Sequence, residues 1–135
     1  MPYKIIEIEG VGEVYAKKLQ DAGVKTTEDL LEKGATKKGR EELAETTGIP
    51  YKLILKWANH ADLFRIKGIA GQFAELLEAG GVDTIKEFRH RVAANLYPTL
   101  VKVNEEKHLC GRVPTEKEIQ KMIDQAKELE PKITY

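Results

Sequence analysis

The chain has 135 residues, enough for one ordinary domain or two very small ones, and its 22 basic side chains are matched by 22 acidic ones. The balance holds in each half: residues 1–62 carry 10 basic and 11 acidic side chains, and residues 63–135 carry 12 and 11. This excludes a basic arm, an acidic tail and a whole-protein positive field.

The start, MPYKIIEIEG, lacks the basic stretch and long apolar core of a secretory signal. No 18-residue apolar run offers a membrane span, and the single cysteine, Cys110, excludes an intrachain disulfide framework. Together these predict a soluble, cytoplasmic protein with no membrane partner.

An apolar lead, Tyr3 to Ile8, is punctuated by Gly10-Val11-Gly12. A helix of about ten residues is predicted next, with Val14, Tyr15, Ala16, Leu19 and Ala22 on one buried face. Gly23 stands where a left-handed residue ends a helix. Thr26 with Asp29 then reads as a capping box opening a short helix through Leu31. A helix around Arg40 to Thr46 follows, then a turn at Gly48-Ile49-Pro50. The next helix starts near Pro50, where a missing N–H is no loss, and carries a stripe of Leu53, Ile54, Trp57 and Ala61.

Residues 63–89 then repeat residues 5–31 at a constant offset of 58, with seven identities: Ile8/Ile66, Gly10/Gly68, Ala16/Ala74, Leu19/Leu77, Gly23/Gly81, Val24/Val82 and Thr26/Thr84. The second copy has its own stop at Gly81 and its own Thr84/Glu87 box. Its ending, GRVPTEKEIQKMIDQAKEL, mirrors the first ending with about two residues inserted. Pro114, a Thr115/Glu118 box and a stripe of Ile119, Met122, Ile123 and Ala126 carry that likeness. The last residues, Pro131 to Tyr135, are expected to fray. No alternating strand pattern occurs. The prediction is an all-α chain of eight to ten short helices in two units, residues 1–62 and 63–135, packed as one compact body or as two intimately contacting halves.

An apolar residue, Gly-Val-Gly, and a helix with Ala16 and Leu19 on one face resemble the helix-hairpin-helix motif. Gly48-Ile49-Pro50 before Leu53, Ile54 and Trp57 resembles a second, weaker hairpin. The paired arrangement is similar to the small helical N-terminal domain of RecA-like recombinases. Nearly the whole chain resembles a family of duplicated helix-hairpin-helix proteins, mostly bacterial, classed as a domain of unknown function. The resemblance implies tandem helix-hairpin-helix (SAM-like) units that hold nucleic-acid backbone.

The chemistry behind that implication is direct. A hairpin before a helix start aims backbone N–H groups at a phosphate, glycine permits close approach, and lysine adds Coulomb attraction. The candidate nucleic-acid-binding residues are Gly10, Gly12, Lys17, Lys18, Lys37, Lys38, Arg40, Lys67, Gly68, Gly71 and Arg112. Hairpin three, Lys67 to Gly71, is the best phosphate candidate. Against phosphate binding stand Glu9 and Glu13 beside hairpin one, Pro50 in hairpin two, and Glu75 and Glu78 after hairpin three. Arg89-His90-Arg91 and Lys107-His108 are further basic clusters, each explained by a solvated helix end.

Trp57 is expected in the core, and the repeat equivalents Tyr15 and Phe73 at packing positions. Tyr51 and Tyr97 are candidates for a partner surface. His60, His90, His108 and Cys110 share no ligand spacing, so no metal is expected. Adjacent pairs such as Glu41/Glu42 point to different helix faces, and no P-loop, dinucleotide fingerprint or nucleophile elbow is present. The expected function is a non-enzymatic, cofactor-free module that binds DNA backbone without sequence specificity. The alternative is a protein-interaction or scaffolding module that kept the fold and lost the phosphate grip.

Overall fold

The structure, a computed structural model, describes residues 3–135; Met1 and Pro2, where the targeting-signal reading begins, lie outside the described residues. A 3-10 turn, Ile5–Glu7, leads into eight α-helices: α1 Glu13–Asp21, α2 Thr27–Gly34, α3 Lys37–Thr47, α4 Tyr51–Leu63, α5 Gly71–Ala79, α6 Ile85–Phe88, α7 Ala93–Lys107 and α8 Glu116–Glu128. Extended pairing among the described residues is limited to one bridge, Lys4 to Thr26. The chain is all-α, and no described helix is long and apolar enough to cross a membrane.

Backbone geometry recurs at the sequence offset. α1 and α5 both begin and end 58 residues apart. Gly10 and Gly68 have φ of 91° and 97°, and Gly23 and Gly81 have 87° and 95°, values that favour glycine. Past α1, Val24 N–H donates to Leu19 O at 2.8 Å and Gly23 N–H to Gln20 O at 3.0 Å. Past α5, Val82 donates to Leu77 and Gly81 to Glu78 at the same distances. That pair of bonds is the Schellman closure, which satisfies carbonyls a helix end would otherwise leave bare. Thr26 and Thr115 close the expected capping boxes with Asp29 and Glu118, while Thr84 accepts from Glu87 N–H in one direction.

The two endings diverge more than the sequence comparison suggests. Tyr51 and Glu116, which open α4 and α8, are 65 residues apart, so the insertion is seven residues rather than about two. Three residues join α3 to α4, whereas residues 108–115 join α7 to α8. Asn104 holds that longer link by clasping both main-chain groups of Cys110, at 2.8 and 2.9 Å.

One core runs through both halves, from Ile5, Ile8 and Leu19 to Leu77, Ile119 and Ile123. Trp57 is buried in it, Tyr15 packs on Trp57 with ring centroids 5.3 Å apart, and Phe73 is buried. α2 packs on α4 and α3, and α7 packs on α5 and α8.

Two expectations fail here. Val14 is 70% exposed instead of buried, because it shares a face with Lys17 and Lys18 at three and four residues' spacing. The segment 131–135 does not fray. Ile133 is buried, Thr134 N–H donates to Ala35 O at 2.8 Å, and the Tyr135 hydroxyl donates to Asn59 Oδ1 at 2.8 Å.

Candidate functional site

The first turn of a helix leaves N–H groups without intrahelical partners, and in six of its eight described helices this chain satisfies the N–H of the third residue internally. The third-residue N–H is taken by a threonine side chain in α2, α3, α6 and α8, from Thr26, Thr36, Thr84 and Thr115. In α4 and α7 it turns back to the main-chain carbonyl of Pro50 or Val92, at 3.0 Å in each case. α1 and α5 do neither. Among the described residues, no backbone N–H of residues 12–15 or 70–73 finds an acceptor. These are the two helices that follow Gly10 and Gly68.

The turns before them are anchored from behind by equivalent contacts. A β-carbon on Gly10 would lie 3.6 Å from the Trp57 indole nitrogen, and one on Gly68 would lie 3.1 Å from Met122 Cε. Trp57 and Met122 are themselves 65 residues apart, the spacing of α4 and α8. Lys67 spends its main-chain N–H on Gln125 Oε1 at 3.1 Å, while its side chain stays in solvent.

The acidic side chains that flank these turns do not all face the helix starts. Glu75 and Glu78 lie against α4: Lys56 Nζ stands 3.3 Å from Glu75 and 3.6 Å from Glu78. His60, fully buried, meets Glu78 at 2.5 Å, and that bond holds the Glu78 carboxyl below the usual carboxylate range. Glu7 accepts from Lys4 N–H at 2.6 Å. Glu9 and Glu13 are exposed, and Glu9 lies over the start of α5, within 3.2 Å of where a Gly71 β-carbon would stand.

The family model described as Domain of unknown function (DUF4332) matches residues 9–129. The chain belongs to this family. Neither the curated proteins nor the solved structures contain a match.

Within this member of the family, the predicted site residues separate into two groups. Gly10, Gly12, Lys17, Lys18, Lys37, Lys38, Lys67 and Gly68 are all exposed. Three others are engaged within the fold, and the burial of Arg40 corrects the expectation of a surface role for it. Gly71 is buried, and a β-carbon there would lie 2.7 Å from the Glu7 carbonyl oxygen, so the missing side chain serves chain packing. Arg40 is fully buried and donates to Tyr51 Oη, Gly34 O, Ala35 O and Thr134 O. Arg112 is exposed but forms a two-bonded pair with Glu118, at 2.9 and 3.0 Å.

Residues outside the sequence prediction complete the picture. Asn59 is buried and receives the Tyr135 hydroxyl; nothing in its local pattern announces that partner, 76 residues away. Lys33 donates to Ala22 O at 3.1 Å and so places its charge at the α1 C-terminus, where the helix dipole favours it. Tyr51 is half-buried and spoken for by Arg40, and Tyr97 is half-buried against the core.

Proposed function

We propose that this protein is a non-enzymatic module that holds nucleic-acid backbone without reading sequence, through the N-termini of α1 and α5. The observation that carries the reading is the absence, in these two helices, of the internal partner that the other six supply to the third-residue N–H. Unpartnered N–H groups at the positive end of a helix dipole hold a phosphate oxygen without further machinery. Both starts follow an exposed, positive-φ glycine, as in the helix-hairpin-helix arrangement that the duplicated sequence resembles. Lys17 and Lys18 on α1 and Lys67 before α5 supply counterion release. Because phosphates carry no base identity, such contact is sequence-independent.

Fluorescence anisotropy with labelled single- and double-stranded DNA tests the reading at low and near-physiological salt. Binding that weakens steeply with salt and is lost in Lys18→Glu/Lys67→Glu supports it. Absence of binding at low salt overturns it.

A second reading, a protein-interaction module, is favoured by the surface of hairpin one. Ile6 and Val14 are 44% and 70% exposed there, beside Glu9 and Glu13. Exposed aliphatic side chains among carboxylates suit a protein surface better than a phosphate. Salt-insensitive binding partners that are lost in Ile6→Ser/Val14→Ser would favour this reading over the first.

A further inference from the structure

The C-terminal segment is held in the way a bound peptide is held. Ile133 is buried, Thr134 is bonded through both its N–H and its carbonyl, and the Tyr135 hydroxyl reaches Asn59. The wall that receives it is largely independent of it. Arg40 makes three of its four bonds to Tyr51 Oη, Gly34 O and Ala35 O, at 2.9 to 3.1 Å, and only Nη2 turns to the segment, 2.7 Å from Thr134 O.

This guanidinium is fully buried, and among the described residues no carboxylate lies within salt-bridge distance of it. Its acceptors are three carbonyls and a phenol, with the Tyr135 ring 5.5 Å away. Two of the carbonyls belong to the end of α2, where the helix dipole is negative, which explains how the charge is tolerated. Neutral acceptors nonetheless replace lost hydration less well than a carboxylate does. A ligand whose carboxylate stood where the Thr134 carbonyl stands would therefore hold this wall better than the resident segment.

We infer that the wall formed by Ala35, Arg40, Tyr51 and Asn59 is a docking site for the free C-terminus of a partner protein, with residues 133–135 as its competitor in cis. The partner segment is extended, carries an aliphatic side chain in the place of Ile133, and ends one residue later. Its terminal carboxylate then meets Arg40 Nη2, and its last N–H donates to Ala35 O. Capture of a C-terminal carboxylate is a general mode of peptide recognition, and a guanidinium is a strong partner for a carboxylate. The site is separate from the α1 and α5 helix starts, so it does not depend on the nucleic-acid reading.

The test uses two labelled pentapeptides with the sequence of residues 130–134, one with a free carboxylate and one amidated. They are titrated into the 135-residue chain and into its Ile133→Asp/Tyr135→Ala variant, whose segment is loosened. The loosened variant should bind the carboxylate peptide at least tenfold more tightly than the amide. The unmodified chain should bind it more weakly, because a tethered competitor acts at an effective concentration on the order of millimolar. Arg40→Lys in the loosened background should reduce the preference for the carboxylate. A second measurement needs no variant: saturating carboxylate peptide, but not the amide, should speed hydrogen exchange at the Thr134 amide of the unmodified chain. Equal binding of both peptides, or no binding together with unchanged Thr134 exchange, would overturn the inference. Self-association of the loosened variant without peptide would assign the wall to a second copy's tail and overturn it as well.

Discussion

A β-carbon on Gly71 would stand 2.7 Å from the carbonyl oxygen of Glu7, so the first residue of α5 is a glycine because the 3-10 turn Ile5–Glu7 passes over it. The obstruction is main chain and cannot rotate away. Gly71→Ala is expected to push the two copies apart and cost about 1–3 kcal/mol, the usual range for overpacking. Urea denaturation followed by circular dichroism reads the change. A loss below a few tenths would mean that this turn yields without resistance.

Ala70 occupies the N-cap of α5 without offering a side-chain acceptor. Ala70→Asp should stabilise the protein by about 0.5–2 kcal/mol, since an aspartate there can accept from the free N–H of Phe73. The same carboxylate would occupy the position assigned to a phosphate, so DNA affinity should fall while the melting temperature rises. A variant that is more stable and binds DNA as well as before would separate the helix start from the function.

Within Lys37-Lys38-Gly39-Arg40, neighbouring cations should behave very differently. Lys37 and Lys38 are exposed, and replacing either by alanine should change stability by less than about 0.5 kcal/mol. Arg40→Ala removes a buried side chain and strands four acceptors, for an expected cost of about 2–4 kcal/mol. Parallel thermal melts of the three variants check this.

Acid should weaken the start of α8. Glu118 accepts from the Arg112 guanidinium and from the Thr115 N–H, and these bonds bring its carboxyl from an ordinary 4.5 down to about 2. A carboxyl that is more acidic when folded stabilises the fold above its unfolded pKa. That contribution is lost as pH falls from about 4.5 towards 2. Glu118→Gln should therefore flatten part of the acid slope of the melting temperature, and its difference from the unmodified chain should shrink as pH falls through about 2. Some slope will remain, because hydrogen bonds from the Lys25 and Thr26 main chain also hold Asp29 below its ordinary value.

The distance over which each feature acts separates what was legible in the sequence from what was not. Thr26, Thr84 and Thr115 cap helices that begin one residue later, and Gly23 and Gly81 close helix ends by bonds reaching back at most five residues. Such features depend on neighbours along the chain, so residue type and spacing state them directly. The apolar stripe of α8, Ile119 to Ala126, was legible for the same reason, since helical periodicity names the buried face.

Periodicity does not name what that face meets, and the candidate site turns on such meetings. Arg40 reads as part of a basic cluster until Thr134, 94 residues on, closes over it. Glu75 and Glu78 read as obstacles to a phosphate until α4 brings Lys56 and His60 against them. Gly71 reads as open backbone until Glu7 covers it. The sequence by itself determined the all-α class, the 58-residue recurrence, the caps and the turns, because hydrogen bonds spanning a few residues decide them. Only the tertiary structure decided which charges remain free, because that depends on how helices far apart in sequence cross and on which long side chains they trap.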